Sequence, residues 1–215
     1  MRKEISAVNF VREAIHIITE EGLPALSVRR LGREMHCNSA SVYYYFNDLD
    51  ELIAYASIKY FNQYVAEVSR CYKAAPDVLT GYRRAWNSFI ELSFETPLIY
   101  ERLLFGKYRD RLGEIIRGYN RMFPEKVEEL DPDIVKTVTA PGFSGYYDHL
   151  VLSHCVDAGM FAKEDGWIIG RTLNSLYGYF LRDRINCGED KEKIAMLKKE
   201  FFVCLDRTLE VYRVK

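Results

Sequence analysis

A chain of 215 residues with 48% hydrophobic content can form one large helical body, or a small domain joined to a bigger one. Its formal net charge of −1 excludes a globally polycationic protein, so any contact with nucleic acid must come from a local patch. Five cysteines without CxxC spacing suit a reducing compartment, and with no signal peptide or long apolar span in view, a soluble cytoplasmic protein is expected.

Val8, Val11, Ile15 and Ile18 recur at helical spacing, and Gly22 followed by Pro24 ends that first helix. Ser27 can cap a second helix, from Val28 to about Met35, with Val28, Leu31 and Met35 on one side. Asn38 or Ser39 can cap a third, which carries the run Ser39-Ala40-Ser41-Val42-Tyr43-Tyr44-Tyr45-Phe46. Asp48 and then Glu51 open a fourth helix, from Leu49 to about Tyr72, in the manner of a capping box. After the break at Ala75-Pro76-Asp77 comes a helix holding Trp86, Phe89 and Phe94, and Thr96-Pro97 starts the next. Pro124 and Pro132 bracket an acidic linker, and Pro141-Gly142 kinks or starts a helix that reaches about Ala158. Two well-patterned helices close the chain, over 165–186 and about 191–212, divided by the turn at 186–190. The predicted fold class is all-α, with about nine helices.

The tyrosine run needs a reason. Successive helical residues point about 100° apart. With Val42 as origin, Phe46 returns to roughly 40° and Tyr45 to about −60°, so these can share a buried side. Tyr43 lies on a shoulder near roughly 100°, and Tyr44 points away at about 200°, beside Ala40 and Ser41. A short helix anchored from within, small at its start and aromatic on its outer face, meets the requirements of a helix-turn-helix reader in the major groove. Ser39, Ala40 and Ser41 would let the helix N-terminus approach phosphate. Tyr43 and Tyr45 hydroxyls would reach backbone oxygens, while Tyr44 and Ala40 face base edges.

At these residues the sequence resembles the TetR family of transcriptional regulators. The family pattern of a small residue, an aliphatic, Tyr, a variable residue, Tyr or His, and Phe reads here Ser41, Val42, Tyr43, Tyr44, Tyr45, Phe46, with Leu52 after the cap. Gly22, Leu26, Ser27 and Leu31 fall in the same register, and the match covers about residues 8–56. The resemblance implies a helix-turn-helix DNA-binding domain over 1–47 and a helical effector-binding and dimerisation domain over 48–215. It implies DNA contacts from Arg29, Ser39, Ala40, Ser41, Tyr43, Tyr44 and Tyr45. It further implies a homodimer through the last two helices, most often a repressor, that reads a palindromic operator in double-stranded DNA and is released by a small-molecule effector. Two positions depart from the pattern, because His36 stands where Gly is usual and Leu49 where Lys is usual. Residues 1–47 also carry only six Lys or Arg against five Asp or Glu, although Arg2 and Lys3 could assist from the N-terminal arm. The alternative is an interaction module of the same fold that acts through a protein partner rather than an effector.

The middle of the chain is rich in aromatics, and an apolar or aromatic effector would call on Trp86, Phe89, Tyr100, Phe105, Tyr146 and His149. The competing reading is that these rings fill a core. Asp148, His149, His154 and Cys155 suggest a metal, but the two histidines are five apart rather than four, so no metal site is expected. No nucleophile, base or phosphate loop stands out, so neither enzymatic activity nor a cofactor is expected. Cys37, in the turn of the DNA-binding unit, is the one cysteine whose oxidation would disturb it.

Overall fold

Short polar side chains begin the helices of this chain by accepting the backbone N–H groups that a first turn leaves unpaired. In the computed structural model, which describes residues 5–128, 130–143 and 149–214, Ser6 caps α1 (Ala7–Glu21) and Ser27 caps α2 (Val28–Glu34). Asp48 caps α3 (Leu49–Lys73) and Asp77 caps α4 (Val78–Glu95). Proline at the first position then opens α5 (Pro97–Phe105). There follow α6 (Leu112–Met122), α7 (Pro124–Val127), α8 (Pro132–Val138), α9 (His149–Asp157), α10 (Gly166–Asn186) and α11 (Lys191–Tyr212). The all-α class stands as expected.

Three local differences from the sequence reading have physical reasons. The acidic linker after Pro124 contains α7, because proline at a first helical position starts a turn as readily as it ends one. Gly142 takes a positive φ of 80°, so the chain turns there, and the next described helix starts at His149. The tyrosine segment Ser39–Tyr44 is a 3₁₀ helix rather than an α-helix. Its bonds run from Ser41 N–H to the Asn38 carbonyl and from Tyr45 N–H to the Val42 carbonyl, the tighter pattern common in short connecting pieces.

The axis of the molecule is α3, whose 25 residues extend from the tyrosine turn into the larger helical body. It packs against α1, α4, α5 and α6. Near its start, Leu52 and Ala56 join Phe10, Val11, Ile17 and Ile18 of α1 in one buried cluster. Burying each large apolar side chain of this kind contributes about 1.5–3 kcal/mol. Further along, Phe61, Tyr64, Val65 and Val68 are buried, and the Tyr64 ring stands edge-on to Phe89 of α4 at 4.9 Å. Tyr55 bridges two regions: its ring stands edge-on to Phe46 at 5.7 Å, and its hydroxyl fills the space where Gly118 of α6 lacks a side chain. At the far end α10 packs on α11, and Val214 N–H donates to the Met160 carbonyl at 3.0 Å. No described helix is long and apolar enough to cross a membrane.

Candidate nucleic-acid interface

The tyrosine turn is held from three sides. Val42 and Phe46 are buried beneath it, and the Phe46 N–H reaches back to the Val42 carbonyl at 3.1 Å. Gly32 of α2 lies against it so closely that an added Cβ would sit 3.0 Å from both the Cys37 carbonyl oxygen and the Ser39 nitrogen. The sharp turn between them passes through His36, which adopts a left-handed φ of 53°. A residue other than glycine does occupy the position where this backbone is needed. Asn38 then starts the turn, its side chain accepting the Ala40 N–H at 2.9 Å.

Tyr44 faces out and Val42 and Phe46 face in, as the helical period predicts, but Tyr45, expected on the buried side, is exposed because its hydroxyl reaches out to the Ile5 carbonyl. Tyr44 is 84% exposed, Tyr43 54% and Tyr45 37%, while Val42 and Phe46 are buried. Ala40 is exposed, and Ser39 and Ser41 are partly so, which places them with Tyr43 and Tyr44 on one outer surface. Tyr45 has a second task. Its ring lies 5.7 Å from Phe10 and 5.1 Å from Tyr44, and its hydroxyl donates to the Ile5 carbonyl at 3.0 Å. Thus Tyr45 ties the start of α1 to the turn.

The cations divide as well. Arg30 is bound to Glu21 at 2.7 Å and to Glu34 at 2.8 Å, so its charge is spent within the unit. Arg29 is exposed in the first turn of α2, and its side chain makes no ion pair or hydrogen bond among the described residues. Arg33 is exposed beside Glu34, at 3.8 Å. The neutral balance read from the sequence therefore leaves Arg29 as the cation most available to a partner on this face.

The exit from the turn is built on two acids. Asp48 accepts the Glu51 N–H at 2.9 Å, and Glu51 accepts the Asn47 N–H and the Asn47 side-chain amide, each at 2.7 Å. The same two carboxylates meet Lys107, Tyr108 and Arg111. Desolvation opposes ionisation of Asp48, but the bonds from Lys107, the Glu51 N–H and Tyr108 outweigh it and hold its carboxyl below the usual value of 3.8. The sequence reading missed Lys107, Tyr108 and Arg111, which carry no local signal. It also missed Gly32, whose place inside a helix was a signal in plain view.

No family model matches the chain. An HTH-type transcriptional regulator of Haemophilus influenzae, itself uncharacterised, is 25% identical over 87 residues, 40% of this chain. The match covers 46% of that relative, about half its length. The crystal structure of a TetR-family transcriptional regulator from Mesorhizobium loti superposes with a TM-score of 0.51 at 16% identity, covering 97% of this chain and 96% of that one. The fold is that of the TetR regulators. A TetR-family regulator of Marinobacter aquaeolei gives 0.48 at 15% identity, again over 97% of this chain and 96% of that one. In this fold α1, α2 and the tyrosine turn pack together at the start of α3.

The residues named for an effector lie apart from that surface. Trp86, Phe89 and Tyr100 are buried, with Phe89 4.8 Å from Tyr177, 5.6 Å from Tyr100 and 5.6 Å from Trp86 between ring centroids. Phe105 is partly exposed and stacks on Tyr177 at 5.9 Å. His149 begins α9, but its side chain, like the whole of Tyr146, lies outside the described residues. Burial carries the Tyr100 hydroxyl pKa far above its ordinary value, and that hydroxyl donates to the Tyr60 carbonyl at 3.1 Å. Trp86 Nε1 is buried with no acceptor among the described residues, and the Tyr177 hydroxyl beside Ser93 does not reach hydrogen-bond geometry. A separate groove of about 760 Å³ runs between α1, α3 and α6, lined by Arg12, Ile15, Lys59, Gln63, Tyr119 and Phe123. It contains none of the residues named for an effector.

Proposed function

We propose that the chain is a DNA-binding transcriptional regulator, acting as a homodimeric repressor on a palindromic operator and released by a small apolar or aromatic effector. One observation carries this reading: a protruding turn that exposes Tyr43 and Tyr44 among Ala40, Ser41 and Ser39, clamped from beneath by Val42, Phe46 and the close approach of Gly32. Large aromatics are left in water at a cost, and a rigid outward pair with hydroxyl tips suits phosphate and base-edge contact in a groove. Arg29 and the Ser39–Tyr45 segment are the contacts assigned to DNA.

Dimer formation is assigned to α10 and α11. Trp167 and Tyr179 are 63% and 61% exposed and share with Arg171 and Ser175 one stripe of α10, while α11 exposes Met196 and Val203. Burying that stripe against a second copy would set two tyrosine turns on one side of the DNA, as reading a palindrome requires. The effector is assigned to the aromatic layer of Trp86, Phe89, Tyr100 and Phe105. The unpartnered Trp86 Nε1 supports this, since a buried donor without an acceptor is what a ligand oxygen satisfies. Tyr146 and His149 remain part of the same proposal.

Selection of random duplex DNA on the purified protein tests the reading, followed by a screen for small molecules that release the winner. A palindromic winner whose retention falls steeply with salt is the expected outcome. Retention of a protein partner, with no duplex retained at any salt, would instead establish the interaction-module alternative. That alternative draws support from the near-neutral balance of residues 1–47 and from the internal pairing of Arg30.

A further inference from the structure

Two acids open α3, and each divides its carboxylate between the two parts of the molecule that α3 joins. Asp48 spends Oδ1 on the Glu51 N–H, the cap that starts the helix, while Oδ2 accepts from Lys107 Nζ and, at 3.1 Å, from the Tyr108 hydroxyl. Glu51 spends Oε2 on the Asn47 backbone and side chain, while Oε1 faces an Arg111 guanidinium nitrogen at 3.6 Å. One oxygen of each acid therefore fixes the backbone that leaves the tyrosine turn. The other faces the cations of the segment between α5 and α6, about 60 residues along the chain. There Lys107 and Tyr108 donate to Asp48, and Arg111, itself bound to Glu114 at 2.8 Å, stands within ion-pair distance of Glu51.

Solvated ion pairs contribute little, and Arg102 with the half-exposed Asp50 at 3.6 Å is such a pair. Glu51 differs, because its side chain is buried and a buried carboxylate is costly without a cation. Of the four groups only the Glu51 carboxylate is buried, while Asp48 is 28% exposed, Arg111 47% and Lys107 62%, so it is the charge of Glu51 that cannot relax into water. The bonds that close the turn use the opposite oxygens, so removing the cations leaves each of those bonds with its own donor and acceptor.

We propose that Lys107 and Arg111 are positioning residues for DNA reading: by gripping the outer oxygens of Asp48 and Glu51 they fix the angle at which the tyrosine turn leaves the larger helical body. In a dimer that angle sets the spacing between the two turns, and so the length of spacer the protein accepts. The spacer consequence rests on the DNA-binding reading above; the angle itself does not.

The test uses the full chain with Lys107→Met and Arg111→Met combined, and Lys107→Arg alone as the conservative control. Binding is measured to the selected palindrome, to versions with the spacer changed by one or two base pairs, and to a single half-site. The double variant is expected to bind the half-site like the parent but to lose at least about tenfold of the preference for the parental spacer. Lys107→Arg is expected to retain that preference. Unchanged spacer preference in the double variant overturns the proposal, as does an equal loss on the half-site and the palindrome. A second readout needs no DNA: pulsed electron-spin distances between labels on non-natural residues at 33 and 199. A broader distance distribution in the double variant is expected, and an unchanged width overturns the proposal. If the parent retains no duplex, the DNA-binding reading fails by itself, and the label distances still judge the angle.

Discussion

Tyr44 gives most of its surface to water while its neighbour Val42 gives none, so the two separate binding from stability. Tyr44→Ala is expected to change folding stability by less than about 0.5 kcal/mol. The same change should weaken operator binding by about 1–3 kcal/mol, with the loss concentrated on a few base positions. Tyr43→Ala should weaken all duplexes more evenly, as loss of a phosphate contact does. Titration against a panel of single-base variants checks both. Two backbone positions make opposite expectations. His36→Gly relieves a left-handed φ of 53° and should raise stability by up to about 1 kcal/mol in urea unfolding. Gly32→Ala drives a methyl group against the backbone of Cys37 and Ser39, and should cost about 1–3 kcal/mol together with operator binding.

At the scale of elements, the start of α3 depends on the charge of Asp48. Its carboxyl is held below 3.8, so its contribution is fully present above that pH and is lost as pH falls through the lower folded-state value. Asp48→Asn keeps a capping oxygen but gives up the ionic partner. The stability gap between parent and variant should therefore be present at neutral pH and close at strongly acid pH, as urea unfolding across that range would reveal. Much of this architecture was legible in the sequence because its causes are local. Ser27, Asp48 and Asp77 cap from within a few residues of the helices they start, and the helical period placed Val42 inside and Tyr44 outside. The grip of Lys107 and Arg111 on α3 was not legible, since it depends on how α5 and α6 return past that helix. The 3₁₀ winding of Ser39–Tyr44 was likewise hidden, because six residues cannot distinguish one helical period from another. Trp86, Phe89 and Tyr100 were named for an effector on composition, and their mutual packing shows why composition is ambiguous there: rings that fill a core and rings that line a pocket are the same residues.

For the molecule as a whole, the proposed assembly makes α10 and α11 answerable to a charge placed on their outer stripe. Tyr179→Asp with Val203→Asp should shift a dimer to monomers in sedimentation at micromolar concentration, because each buried carboxylate must be desolvated. Half-site binding should survive and palindrome binding fall by tenfold or more. A different handle lies at the notch where Gly118 receives the Tyr55 hydroxyl, since a Cβ there would stand 2.6 Å from that oxygen. Tyr55 leans on Phe46 at its other side, so a methyl group at 118 works as a shim driven beneath the shaft that carries the tyrosine turn. Anyone wishing to fix the set of the tyrosine turn, without altering any residue assigned to DNA, would begin with that single atom.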